Sequence, residues 1–143
     1  MTDLDELASR YNSLAVHLSR RLRLTDRETG VSPARLSALS VLVFGGPHTV
    51  SELARAEGVT LPTISRIVQG LEREGLAARA PHPADGRSAT IAPTPAGIAL
   101  MEDARRRRIE QLAGRLQVLT AADIEKLQAA TCALEALERV ADE

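Results

Sequence analysis

The chain has 143 residues, of which 44% are hydrophobic and 26% charged, so it can bury one core but is too short for a large multidomain enzyme. Its formal net charge is −1, so the overall basic balance common in nucleic-acid-binding proteins is missing, and any such surface must come from the placement of charges. Aromatic residues make up only 1% of the chain, which favours a helical core of Leu, Ala, Val and Ile.

The sequence has none of the usual marks of export or membrane insertion. Its single cysteine, Cys132, cannot form an intrachain disulfide, and the start of the chain does not have the pattern of a signal peptide. Charged residues interrupt every leucine-rich stretch before it reaches the about 18 apolar residues of a membrane span. We therefore expect a soluble, cytoplasmic protein with no membrane partner.

Capping residues and glycines divide the chain into six predicted helices. A hydroxyl residue stands at or just before each start, where it can accept a hydrogen bond from a backbone amide of the first turn. Apolar residues then recur every three or four positions. The predicted helices run from Thr2 to Gly30, Ser32 to Gly45, Val50 to Glu57, Thr60 to Gly75, Thr94 to Leu119, and Thr120 to Val140 or Ala141.

The pattern changes after the fourth predicted helix. Leu76 to Ala80 and Arg87 to Ala92 are short segments separated by a stretch that contains Asp85 and Gly86, a pair that suits a β-turn. These segments predict a two-stranded β-hairpin.

The third and fourth predicted helices form a helix-turn-helix. Gly58 lies between them and can adopt the positive φ that so short a turn requires, while Ala54 allows the helices to approach closely. With the hairpin as a wing, the sequence predicts a mainly α fold: a winged helix-turn-helix flanked by long N- and C-terminal helices.

The start of the fourth helix has the composition of a DNA-reading surface. A helix N-terminus is electropositive, and the early residues of the second helix in a helix-turn-helix enter the major groove. There Arg66 can donate to guanine and Thr63 can contact a thymine methyl group. The predicted DNA-binding residues of this helix are Thr60, Pro62, Thr63, Ser65, Arg66 and Gln69.

The predicted wing supplies two further candidates, Asp85 and Arg87. Arg87 can enter the minor groove, where negative potential is concentrated, and Asp85 would orient its guanidinium. The alternative is that Thr60 is only a helix cap, that Arg66 and Gln69 are solvated surface, and that the wing pair is an ion pair worth under about 1 kcal/mol. The preceding helix, the glycine turn and the wing together favour DNA binding.

The terminal helices carry apolar stripes longer than a winged core can cover. A two-fold dimer would bury them and place two recognition helices about one DNA turn, ~34 Å, apart, which predicts a palindromic operator. The alternative is a monomeric helical bundle. We therefore expect residues 1–30 to form part of a dimerisation region, 31–94 the DNA-binding domain, and 95–143 the C-terminal dimerisation helices.

Several stretches together resemble the MarR-type transcriptional regulators. They are Thr49 to Glu57, TLPTISRIVQGLEREGL from Thr60, PADGR from Pro83 and TPAG from Thr94. The resemblance implies a dimer that binds an inverted repeat in a promoter and usually represses transcription. It also implies release by an oxidant or by a small molecule, often an aromatic carboxylate or phenol.

The resemblance also assigns residue roles. Pro62, Thr63 and Arg66 match the start of the family's recognition helix, which contacts bases and phosphates, and Asp85 and Arg87 match the acid-x-arginine pair of its wing.

Two positions depart from the family pattern. Gly86 replaces a frequent wing cation, which implies weaker phosphate binding there. Cys132 lies in the last helix, far from the first-helix cysteine of redox-sensing members, and we expect it to be buried by packing.

The sequence predicts no metal site, no cofactor and no assignable effector site. His17, His48 and His82 are scattered, without cysteines or carboxylates at metal-ligand spacing. Nothing in the sequence identifies an effector pocket, so Arg10, Tyr11, His17 and Arg20 are only guesses. The run Arg105 to Arg108 predicts a solvated helix surface neutralised by neighbouring acids.

An enzyme is the competing class of protein, and the sequence argues against it. It contains no phosphate-cradling glycine loop, no HExxH and no GxSxG. The remaining alternative is a winged-helix adaptor that binds protein without sequence-specific DNA binding, which the near-neutral charge favours.

Overall fold

A computed structural model describes residues 2–81, 84 and 89–141 of the chain. Over these residues the chain forms six α-helices and three short β-strands. The helices are α1 (Asp3–Asp26), α2 (Pro33–Gly45), α3 (Val50–Glu57), α4 (Leu61–Arg73), α5 (Pro95–Leu116) and α6 (Ala121–Ala141), and the strands are β1 (His48–Thr49), β2 (Ala77–Pro81) and β3 (Ala89–Pro93).

Each helix begins at its predicted capping residue. In α1 the Asp5 amide donates to the Thr2 hydroxyl over 3.2 Å, and the Thr2 amide donates to the Asp5 carboxylate over 2.9 Å. Thr49 and Glu52 form the same reciprocal capping box at α3. These bonds satisfy first-turn amides that have no partner inside the helix, which is why hydroxyl and acidic residues mark the starts in the sequence.

Three helix ends fall short of the sequence prediction, and one of them is the end of α4, which lies at Arg73 and not at Gly75. The first helix gives way at Asp26 to a 3-10 turn, Arg27–Thr29, before the chain leaves through Gly30. The predicted end of the fifth helix at Leu119 is wrong, because α5 ends at Leu116. The Leu119 amide bonds to the Leu116 carbonyl, a tighter turn than an α-helix, and the chain then extends into the cap of α6.

The predicted hairpin is confirmed, and it belongs to a three-stranded antiparallel sheet with the order β1-β3-β2. Ala77 pairs with Pro93, and Pro81 pairs with Ala89. Strand β1 was not predicted from the sequence; it adds His48 to the opposite edge of β3 beside Ile91. A two-residue strand is too short to show an alternating pattern.

The core lies between α2, the helix-turn-helix and the sheet. The predicted shared core of the two short helices is present: Leu53 and Ile64 are buried, and Val59 and Ile67 pack against them. The largest fully buried side chains are Leu39, Leu42, Leu53, Ile64, Leu71, Ile91 and Val68. Since α2 contributes two of them, it forms part of the surface against which α4 packs, together with α3.

The chain divides into two compact units, residues 1–108 and 109–143. Within the second unit no described side chain is buried, and Leu127 and Leu137 are 42% and 61% exposed. The prediction that Cys132 is buried is therefore wrong: its side chain is exposed. Helical spacing places it near the apolar stripe of α6, but that stripe is itself exposed. None of the described helices is long and apolar enough to span a bilayer.

Candidate nucleic-acid interface

Helices α3 and α4 are joined by a turn of three residues. Gly58 has φ 65° and ψ 33°, a left-handed conformation that a Cβ disfavours. The Gly58 amide donates to the Arg55 carbonyl over 3.2 Å, and the Val59 amide donates to the Ala54 carbonyl over 3.0 Å. These bonds satisfy the last carbonyls of α3, so the turn holds α4 at a fixed angle.

One face of α4 is buried and the opposite face is exposed. Ile64, Val68 and Leu71 are completely buried in the core. Of the six DNA-binding residues predicted at α4, Ser65 is half-buried and five are exposed; these five are Thr60, Pro62, Thr63, Arg66 and Gln69. Since the buried residues recur at helical spacing, the polar residues between them are directed outward.

The first turn of α4 offers side chains more than backbone amides. The amide of Thr63 donates to the Thr60 hydroxyl, whose oxygen lies 2.9 Å from the Thr63 hydroxyl. Pro62 has no amide hydrogen. Two first-turn positions therefore have no free amide for an anion, and this end of α4 presents mainly the hydroxyls of Thr60 and Thr63 and the guanidinium of Arg66.

The acidic residues at the far end of α4 are paired with arginines from other elements. Glu72 bonds to Arg79 of β2, with Nε and Oε1 2.9 Å apart, and Glu74 bonds to Arg35 of α2 over 2.5 Å. These pairs offset the acids' charge close to its source. The exposed surface of α4 therefore keeps the positive charge of Arg66.

The predicted wing contacts, Asp85 and Arg87, lie outside the described residues, as does Gly86. The strands that lead to them are described: β2 and β3 pair from Ala77 with Pro93 to Pro81 with Ala89. Among the described residues no group of three or more His, Cys, Asp and Glu side chains is placed to hold a metal ion.

A cavity of about 320 Å³ lies in the first unit, where the end of α1, the start of α2 and α5 meet. Its lining is mostly apolar and includes Leu36 and Met101, whereas Arg23, Arg27 and Arg108 bring positive charge to it. The guessed effector residues are absent from the lining; these are Arg10, Tyr11, His17 and Arg20. The sequence could not reveal this cavity because its walls come from three separate segments.

Two arginines of the α5 run form ion pairs with residues at or just after the end of α1. Asp103 pairs with Arg106 and Arg107, as helical spacing predicts. However, Arg107 also lies 3.5 Å from Glu28, and Arg108 lies 3.5 Å from Asp26. The run is therefore not only a solvated surface, because it also connects α5 to the residues that enclose one side of the cavity.

Comparison with known proteins identifies relatives of this chain. A family model described as MarR family matches residues 29–88. An HTH-type transcriptional regulator of Mycobacterium tuberculosis is 38% identical over 138 residues, which cover 96% of each chain. A similar regulator of Mycobacterium leprae is 38% identical over 120 residues, covering 83% of this chain and 84% of the relative.

Solved structures share the fold over nearly the whole chain. A transcriptional regulator of Thermotoga maritima has a TM-score of 0.84 at 24% identity, and a MarR family protein of Bacillus stearothermophilus has 0.82 at 23%; both alignments cover 97% of this chain and 99% of the other. A variant of the Staphylococcus aureus regulator MepR, bound to an oligodeoxyribonucleotide, has a TM-score of 0.70 at 22% identity and covers 92% of this chain and 97% of its own.

Proposed function

Because the chain belongs to the MarR family of transcriptional regulators, we propose that it is a homodimeric repressor that binds an inverted-repeat operator and releases it when a small aromatic or phenolic effector binds. The family consists of DNA-binding regulators and not enzymes. A cytoplasmic location is part of the proposal, because a transcriptional regulator must reach the chromosome.

The observation that carries the proposal is the outward-facing polar start of α4. Thr63 and Arg66 are exposed on α4, the second helix of the helix-turn-helix, and the opposite face of α4 is buried in the core. In this geometry the early residues of the second helix meet base edges in the major groove. The six helix residues named from the sequence, with Asp85 and Arg87 of the wing, are the proposed DNA contacts.

Exposed apolar rows on the terminal helices support a homodimer. None of the described residues of α1 is buried, and Leu4, Leu7 and Leu14 are 76%, 61% and 69% exposed. Soluble monomers rarely present such continuous apolar surface to water. We propose that residues 1–30 and 95–143 form the dimerisation region and that residues 31–94 bind DNA.

The cavity of the first unit supports the effector response. Its volume of about 320 Å³ is at the lower end of the range for small-molecule sites. Leu36 and Met101 offer an apolar surface for an aromatic ring, and Arg23, Arg27 and Arg108 can attract a carboxylate or phenolate. We propose this cavity as the effector site.

Binding to DNA from upstream of the protein's own gene, measured across a series of salt concentrations, tests the proposal. We expect a preferred site over a scrambled duplex of equal length and composition, with log affinity falling by about 0.9 per phosphate contact for each tenfold rise in salt. Added salicylate, an aromatic carboxylate and a phenol, should weaken binding. Equal binding to both duplexes would overturn operator recognition and leave the protein-binding adaptor as the remaining function.

A further inference from the structure

The guanidinium of Arg35, in α2, occupies the space where residue 70 of α4 would otherwise have a side chain. A Cβ placed on Gly70 would overlap Nε of Arg35 and lie 2.6 Å from its Cζ and 2.7 Å from its Nη2. The same guanidinium bonds through Nη1 to the Glu74 carboxylate, one turn further along α4, at 2.5 Å. Arg35 therefore has a steric and an ionic contact on the same helix.

The glycine at position 70 is costly for the helix. Gly in a helix interior destabilises the helix by about 1 kcal/mol relative to Ala, and the φ of Gly70 is not positive, so its backbone does not require glycine. The atoms that an added Cβ would meet belong to the end of a flexible side chain, not to the backbone. An alanine would therefore displace Arg35 and leave the packing of α2 on α4 intact.

The remaining contacts between α2 and α4 are mainly apolar. Leu39 and Leu42 of α2 and Val68 and Leu71 of α4 belong to one buried cluster. The hydrophobic attraction between them is non-directional, so the rotation and register of the two helices depend on how their side chains fit together. A planar guanidinium in a notch one residue wide, paired with a carboxylate one turn away, constrains both.

We propose that Arg35 is a positioning residue for operator recognition, which sets the rotation and register of α4 on α2 by lying over Gly70 and pairing with Glu74. This inference rests on the proposed function. Arg66 lies four residues before Gly70 on the same helix, so a rotation of α4 displaces it from the base edge it contacts. Functional contacts must be held to within about 0.5 Å, which makes them sensitive to such a rotation.

Two simpler roles for Arg35 predict effects on DNA binding that differ from those of a positioning role. As a stabilising ion pair it would contribute little, because the side chains of Arg35 and Glu74 are 32% and 34% exposed. As a phosphate contact it would strengthen binding to every DNA sequence equally. A positioning role instead changes the preference for the operator over other DNA.

The test compares the affinities of Gly70→Ala and Arg35→Ala for the operator and for a scrambled duplex at one salt concentration. Gly70→Ala is the decisive variant, because it keeps every charge and raises helix propensity while it displaces Arg35. We expect both variants to lower the ratio of operator to scrambled affinity by about tenfold, roughly the contribution of one base contact. Affinity of Gly70→Ala for the scrambled duplex should stay within about twofold of wild type.

The double variant and a control complete the test. Arg35→Ala with Gly70→Ala should lower the ratio no further than either change alone, because both remove the same contact. Arg106→Ala, which removes an arginine paired with Asp103 on α5, should leave the ratio unchanged.

Three results would overturn the inference. If Gly70→Ala kept the wild-type ratio of operator to scrambled affinity, the position of Arg35 over Gly70 would not determine operator preference. Equal losses on both duplexes in Arg35→Ala would show a phosphate contact. A wild-type protein that prefers no sequence would overturn the proposed function, and the inference with it, whereas the first two results leave the proposed function standing.

Discussion

The Ser37 hydroxyl donates a hydrogen bond to the Glu57 carboxylate over 3.1 Å and so joins α2 to the last turn of α3. Ser37 also lines the cavity of the first unit. Glu57 is the last residue of α3, directly before the Gly58 turn that leads to α4. A side chain in the proposed effector site therefore contacts the helix-turn-helix through one hydrogen bond.

Replacing Ser37 by Ala should weaken operator binding in the absence of an effector and reduce any further weakening by an effector. A ligand that bonds to the Ser37 hydroxyl would break its bond to Glu57, and the variant has lost that bond already. We expect operator affinity without ligand to fall by about two- to tenfold, since one such bond contributes ~0.5–1.5 kcal/mol. The weakening of operator binding by salicylate should fall several-fold, as measured by fluorescence anisotropy.

Ser40→Ala is the matched control, because Ser40 lines the same cavity one turn further along α2. It should respond to salicylate as the wild type does. If Ser37→Ala also responds as the wild type does, the bond to Glu57 does not transmit the effector signal.

Arg66 and Arg87 should affect DNA binding in different ways. Arg66→Ala removes the proposed base contact of α4 and should relax base preference at one position per half-site, at a cost of about 1–3 kcal/mol on the best sequence. Arg87→Ala should weaken binding to all sequences and reduce the salt slope by about one unit. Sequencing of DNA selected from a random pool, together with salt titrations, measures both effects. If Arg66→Ala selected the same DNA sequences as the wild type, Arg66 would not be the residue that contacts this base.

The helix boundaries and the exposed face of α4 could be predicted from the sequence because both depend on local rules. A cap such as Thr49 acts on an amide three residues away, in this case that of Glu52. The burial of Ile64 and Val68 follows from helical periodicity and needs no knowledge of the partner element.

The long-range ion pairs could not be predicted because they join residues far apart in the sequence. Arg35 and Glu74 are 39 positions apart, and Arg107 is 79 positions from Glu28. Neither pairing follows from periodicity or spacing. Gly70 was a weak signal, since a glycine inside a helix without a positive φ often marks a close approach.

Charged substitutions on α1 should prevent dimer formation. Leu7 and Leu14 are 61% and 69% exposed, so replacing both by Asp leaves the protomer core intact and places charge in the proposed dimer interface. We expect monomers in sedimentation velocity and operator binding weakened by about 100-fold or more, because bivalent binding is lost. Ser9→Asp, on the opposite side of the helix, should remain a dimer. A Leu7, Leu14 double variant that sediments as a dimer would exclude this row from the interface.

The capping box of α1 should make the helix start sensitive to acid. Hydrogen bonds from the Thr2 backbone amide and then from its hydroxyl lower the pKa of Asp5. Since the folded pKa lies below the unfolded one, the stabilisation is present above the unfolded pKa and is lost as the pH falls through the folded pKa. Thr2→Ala keeps the amide bond and loses the hydroxyl bond, so the Asp5 pKa should rise part of the way towards its ordinary value. An NMR titration of the Asp5 carboxyl carbon measures this, and an unchanged midpoint would contradict it.

Two glycines of α5 should respond in opposite ways to the same substitution. A Cβ on Gly97 would overlap the Leu76 carbonyl oxygen and lie 3.2 Å from Leu39 Cδ1, whereas a Cβ on Gly114 would have nothing within 4 Å. Gly97→Ala must displace backbone that already accepts the Thr94 amide, so we expect a loss of about 2–3 kcal/mol in the free energy of unfolding. Gly114→Ala should gain up to about 1 kcal/mol from helix propensity alone. Urea unfolding followed by circular dichroism measures both. If Gly97→Ala were as stable as wild type, the start of α5 would be able to move away from Leu76 without a loss of stability.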